Sequence, residues 1–148
     1  MGCSNALVLN GDSFCSADVS PLVALHCKRG ALCSILLVEV ADVSRYGRVI
    51  TDDEDNILLF EEKGSYSGSG FINAGIYLIE KRAFELAPAS SRYSIEKELF
   101  PSLIGKGFYG YKAKEHNKDL IFIDIGTPES YKEASRLLKG FLPPNILP

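Results

Sequence analysis

The chain has 148 residues, with 16 Lys and Arg against 19 Asp and Glu, a net charge of -3 and 46% hydrophobic residues. That is enough chain for one domain over residues 1–148 that buries roughly two thirds of its unfolded surface, and charges of both signs interspersed leave no basic face for nucleic acid as a main partner. No apolar run approaches the ~20 residues of a membrane span and no charged region leads into a long apolar stretch at the N-terminus, so a cytoplasmic protein is expected.

The first element is the run Leu7-Val8-Leu9, which stops abruptly at Asn10-Gly11-Asp12-Ser13. A continuous apolar run bounded by a polar turn reads as a strand buried on both faces, the kind that occupies the middle of a parallel sheet. Ligands of open α/β sheets lie beyond the carboxyl ends of such strands, so Asp12 is expected to face a site. Ser20 and Pro21 then read as N-cap and first helical position, with Leu22, Leu25 and His26 on one face and Gly30 closing the helix. Cys33 to Ala41 is a second buried strand, giving a βαβ unit with a right-handed crossover.

Two extended segments follow, Gly47 to Thr51 and Ile57 to Lys63, and the acidic run Asp52 to Asn56 between them predicts a hairpin. That run lacks the alternating ligand spacing and the distant Glu of a calcium loop, so it is read as a solvated turn. Phe71 to Ile79 has the aromatic and β-branched content of a strand, broken by Asn73-Ala74-Gly75, where the glycine implies a close approach to the backbone. Ser94 is placed to cap a helix that turns Ile95, Leu99 and Phe100 inward, with Glu96 in its first turn and Pro101 near its end. Gly107 to Lys114 and Leu120 to Ile125 read as the last strands, and a final helix after Gly126-Thr127-Pro128 carries Tyr131, Ala134, Leu137 and Leu138 on one face. Residues 140–148 are too rich in proline to extend it and form an irregular tail.

Cys3, Cys15, Cys27 and Cys33 include no CxxC pair and read as free thiols. His26, Cys27 and Cys33 do not complete a four-coordinate zinc set, and packed cysteines beside a helix-face histidine are the favoured reading. Asp12 and Asp124 each sit at a strand end beside glycine and a hydroxyl residue. Converging at one sheet edge they suit magnesium, which takes one or two protein carboxylates and fills its shell with water and phosphate oxygens. Taken singly, each acid reads equally well as a turn or helix-start residue bonding backbone amides.

Five motifs in order, LVLNGDSF, YGRVITDDEDNILLFEEK, FINAGIYLI, SIEKELFP and FIDIGTPESY, resemble the sugar-1-phosphate nucleotidyltransferases from about Leu7 to Leu138. The chain looks most like the bacterial guanylyltransferases acting on mannose 1-phosphate or D-glycero-D-manno-heptose 1-phosphate. The resemblance implies a three-layer, Rossmann-like α/β fold with a mixed sheet of the glycosyltransferase-A-like type. It puts Asp12 and Asp124 at the catalytic Mg2+. It puts Tyr46 and Gly47 beside the sugar, Glu62 on sugar hydroxyls, Lys63 on phosphate, and Asn73 and Gly75 against the sugar, so that Gly75 is glycine because backbone touches substrate. Proline usually follows the Glu-Lys pair in the family, and Gly64 stands there in this chain. Without the resemblance, a surface-paired Lys63 and a bulge at Gly75 are the favoured readings.

In the implied reaction a sugar 1-phosphate oxygen attacks the α-phosphorus of a nucleoside triphosphate in line and pyrophosphate leaves, so the protein's task is neutralisation and alignment of two anions. Members of the family begin with a strand and a glycine-rich loop that grips the triphosphate, and nothing like it precedes Asn5. The expectation is therefore an N-terminally truncated sugar- and metal-binding part, inactive alone. Its bare Ala6-Leu7-Val8-Leu9 edge would self-associate unless a missing N-terminal segment or the chain's own tail covers it. The alternative is a non-enzymatic remnant acting as a sugar-phosphate-binding or assembly module. A metal-dependent glycosyltransferase would want Asp-x-Asp at the first strand end, where Asp12 is followed only by Ser13 and Phe14.

Overall fold

A computed structural model describes residues 4–61, 63–64, 66–88, 92–113 and 120–138. Cys3, Glu62 and the tail lie outside the described residues.

The most apolar long segment becomes the spine of the sheet. β6 (Gly70–Glu80) is buried along most of its length, as expected of a strand covered on both faces. On one side it pairs antiparallel with β3 (Cys33–Val40), and β3 carries β7 (Phe108–Lys112) in parallel. On the other side two strands share its length. β4 (Val49–Thr51) meets it at Phe71, and β1 (Asn5–Leu9) runs antiparallel from Ile76 to Glu80. β5 (Ile57–Phe60) completes the hairpin with β4, giving a mixed six-stranded sheet.

One expectation about β1 changes here and one holds. β1 and β3 are parallel, but β6 lies between them, so the expected βαβ unit is split by an antiparallel strand. β1 is the bare edge strand expected: Leu7 is 46% and Leu9 60% exposed, and only Val8 packs on the core. An apolar run signals two covered faces, yet among the described residues only one face of β1 has a cover.

Period-two alternation in β3 and β6 feeds two cores. Ile35, Leu37, Tyr77 and Ile79 point to one face, against Phe100, Leu103 and Phe108. Leu36, Val38, Ile72, Ala74 and Ile76 point to the other, against Leu22 of α1 (Ser20–Arg29). These are the helix, sheet and helix layers. α1 starts one residue earlier than its sequence suggests: Val19 is the N-cap, and the Asp18 carboxylate takes the Ser20 N–H at 2.8 Å. Gly30 ends it at φ 58°, a conformation glycine adopts freely. His26 is buried and held at 3.0 Å from Ser34, and burial lowers its pKa. Cys33 is fully buried, with its thiol pKa pushed up, whereas Cys27 is exposed.

The acidic hairpin turn is organised by its own side chains. Asp52 Oδ1 accepts from the amides of Glu54 and Asn56, and Oδ2 from Asn56 Nδ2. These bonds, first that from the Asn56 side chain, hold the Asp52 carboxyl below its usual range. After β6, Ser94 accepts from the Lys97 amide and Glu98 reaches back to the Ser94 amide. This cap opens a π-type turn, Ile95–Leu99, that runs into α2 (Phe100–Leu103) with Pro101 near its start.

β2 (Ser13–Cys15) and β8 (Phe122–Asp124) form a separate antiparallel pair beside the main sheet. Thr127 and Ser130 then cap α3 (Pro128–Leu137) reciprocally. α3 packs less than its apolar spacing predicts: Ala134 is buried, but Tyr131 is 64% and Leu137 42% exposed. Its main neighbour is the three-residue strand β8, too narrow a platform to cover a whole helix stripe.

Candidate functional site

The site is built where β1 stops. The Asn10 amide donates to Gly75 O at 2.8 Å, which ties the Asn10-Gly11-Asp12 turn to β6. Opposite this point β6 bulges: Ile35 faces Tyr77 and Leu37 faces Asn73, so one residue of β3 spans three of β6. Gly75 takes φ +76°, and a Cβ on it would lie 2.6 Å from Ser13 Oγ and 2.9 Å from Asn10 Cβ. The chain's own turn makes one close approach that requires glycine here, and the bulge suggested by the residues alone is present.

From that turn β2 leads away beside β8 in a register that sets Ser13 opposite Asp124. The Ile125 amide donates to Asp12 O at 2.7 Å. Two acidic residues 112 positions apart in the chain are therefore neighbours along one strand pair. Asp124 Oδ1 accepts from the Gly126 amide at 3.0 Å. No donor among the described residues meets its other oxygen or the Asp12 carboxylate.

The loop before β4 shares a cleft with the acids. The amides of Tyr46 and Gly47 both donate to Val43 O, at 2.9 and 3.0 Å, and Gly47 turns the chain at φ +85°. Tyr46 packs edge-on against Phe122 with ring centroids 5.8 Å apart. Arg45 and Lys63 face the same space. Among the described residues neither has a carboxylate partner, whereas Arg48 is paired with Glu61 at 2.8 Å and Arg82 with Glu80 at 2.6 Å.

The floor is a hydrogen-bonded cluster. Asn73 Nδ2 donates to Tyr77 Oη and to Glu96 Oε1, both at 2.8 Å, and Asn73 Oδ1 accepts from the Gly75 amide at 2.9 Å. Tyr77 Oη donates its one proton to Glu96 Oε1 at 2.8 Å, and Asn10 Oδ1 lies 3.2 Å from the same hydroxyl. Burial above all pushes the Tyr77 hydroxyl pKa up, and the neighbouring Glu96 carboxylate adds to it, so the hydroxyl stays protonated.

Asp12, Asp124, Lys63, Tyr46, Gly47, Asn73 and Gly75 all line one cleft of about 280 Å³. Glu62 lies outside the described residues. The sequence reading missed Arg45, Glu61, Glu96 and Phe122, which line the same cleft. Glu96 was legible only as a first-turn acid, because what draws it inward is the distant pair Asn73 and Tyr77. No group of three or more His, Cys, Asp or Glu positioned for a metal occurs among the described residues.

The nucleotidyl transferase family model matches residues 2–140. The chain is 34% identical to the mannose-1-phosphate guanylyltransferase of Mycobacterium tuberculosis over 93% of its length, spanning 38% of that protein. It is 33% identical to the D-glycero-alpha-D-manno-heptose 1-phosphate guanylyltransferase of Aneurinibacillus thermoaerophilus, again over 93% of its length and 57% of the relative. The crystal structure of HddC from Yersinia pseudotuberculosis superposes with a TM-score of 0.74 at 31% identity, covering 91% of this chain and 56% of that one. A further HddC structure is complexed with GMP-PN and matches with a TM-score of 0.72. The chain thus spans between about two fifths and three fifths of these relatives.

Proposed function

The chain belongs to the nucleotidyl transferase family, and from that premise we propose that its cleft is the sugar-1-phosphate and metal side of a guanylyltransferase site. The substrates would be mannose or heptose 1-phosphate together with GTP. The observation that carries this reading is the meeting of Asp12, Asp124, Lys63, Tyr46, Gly47, Asn73 and Gly75 around one cavity. Asp12 and Asp124 would hold Mg2+, and the two open carboxylates match the small protein share of that ion's shell. The ion would neutralise phosphate oxygens of both substrates. Lys63 and Arg45, which no carboxylate among the described residues offsets, would hold the sugar phosphate. Gly64 after Lys63 leaves that backbone freer than proline would.

Mannose 1-phosphate is expected to bind the chain with a Kd of about a millimolar, because one wall of a site encloses little of its ligand. Chemical-shift titration should move the amides of Tyr46, Gly47 and Asn73, and Lys63→Ala should weaken binding several-fold. Responses confined to remote residues, or an unchanged affinity in the variant, would overturn the reading. GTP, mannose 1-phosphate and magnesium followed by pyrophosphate release separate enzyme from non-enzymatic binding module.

The second part of the proposal is self-association through β1. Its outer edge has no strand partner among the described residues, and Leu7 and Leu9 are exposed beside it. Two such edges can pair antiparallel about a two-fold axis. Light scattering across a dilution series should show a dimer that Leu9→Lys weakens. Val8 is the wrong place for that lysine, since it packs on the core. A mass that stays monomeric at every concentration overturns this part alone.

A further inference from the structure

We propose that Glu96 is a further group in the cleft that recognises a ligand hydroxyl, and so helps set which end of the ligand faces which residues. This rests on the sugar-phosphate reading above and adds a residue to it.

Asn73 cannot donate to a ligand: both Nδ2 hydrogens are spent, on Tyr77 Oη and Glu96 Oε1. The donors instead converge on one oxygen of Glu96, where Oε1 takes the Asn73 amide and the Tyr77 hydroxyl, each at 2.8 Å. Two bonds to one oxygen fix the carboxylate's orientation. Oε2 receives no donor among the described residues, and Glu96 is half-buried in the cleft lining.

An ionised carboxylate oxygen held in place accepts hydrogen bonds and gives none. It attracts a hydroxyl and repels a phosphate. Arg45 and Lys63 on the same cleft do the reverse. A polyhydroxylated phosphate ester therefore has one favoured direction, with hydroxyls toward Glu96 and phosphate toward the two cations.

Glu96→Gln separates this role from a structural one. The amide oxygen can still accept from Tyr77 and Asn73, so the cluster keeps its bonds, while the atom facing the ligand changes from acceptor to donor. Mannose 1-phosphate and inorganic phosphate are titrated separately into the full chain and the variant, followed by amide shifts. The wild type should prefer mannose 1-phosphate, and Glu96→Gln should weaken the ester about tenfold, the scale of one charge-assisted bond, with phosphate binding unweakened. An unchanged ester affinity in the variant, or equal weakening of both ligands, overturns the role of Glu96 and leaves the sugar-phosphate reading standing. A wild-type chain that binds neither ligand overturns both.

Discussion

Replacing Phe100 with alanine is expected to lower the unfolding free energy by about 3–5 kcal/mol, a large share of the roughly 5–15 kcal/mol that holds a domain together. The ring is fully buried, with its centroid 5.1 Å from Phe60, 5.1 Å from Tyr77 and 5.0 Å from Phe108. Those three come from β5, β6 and β7, so one side chain of α2 ties the helical layer to both ends of the sheet. Truncation leaves a cavity that none of three separately anchored rings can fill by a simple rotation. Urea unfolding should show a lower midpoint with an unchanged slope. Leu137→Ala, 42% exposed on α3, should stay within ~0.5 kcal/mol. A loss below ~1 kcal/mol for Phe100→Ala would mean that the layer collapses around the gap and that the aromatic cluster is not its keystone.

The same cluster reaches the cleft. Phe100 follows the π-type turn that carries Glu96, and Tyr77 both packs edge-on against Phe100 and bonds Glu96. Core packing on one side of β6 therefore sets the position of a polar group at its bulge.

What the sequence made legible follows from how local each signal is. Gly30, Ser94, Thr127 and the acidic turn act over a few residues, and each marks a boundary close to where the structure puts it. Asp12 and Asp124 were each visible as strand-end acids, but whether they meet depends on the β2 and β8 register, a long-range property. The antiparallel insertion of β6 between β1 and β3 was not legible, because apolar runs report burial and say nothing of pairing order. Gly75 stands out as a glycine with a purpose, but the approach of Asn10 and Ser13, residues more than sixty positions away, is not legible from the sequence. Glu96 escaped for the same reason: its partners are set by tertiary structure.

The double substitution Asp12→Asn with Asp124→Asn is expected to lower the cleft's affinity for a divalent ion by more than tenfold, that is by more than ~1.4 kcal/mol. Both carboxylates are partly or fully open to solvent, and the strand pairing around them runs through main-chain atoms, so the fold should survive the change. The Gly126 amide can still donate to the side-chain carbonyl that replaces the Asp124 carboxylate, which keeps the turn before α3. What disappears is charge: a hard cation prefers anionic oxygen, and an amide oxygen offers only a dipole. Mn2+ serves as a paramagnetic stand-in for Mg2+, in the presence of mannose 1-phosphate, whose oxygens would complete the shell. In the wild type, broadening should centre on the amides around Asp12 and Asp124, and in the variant it should fade there first. The hairpin turn supplies an internal control. Asp52 spends its oxygens on Glu54 and Asn56, and Asp55 lies 3.6 Å from Lys112, so this second cluster of acids has already committed much of its charge. Broadening centred on residues 52–55, or persisting at residues 12 and 124 after both charges are removed, would show that the two strand-end acids do not form the ion's seat.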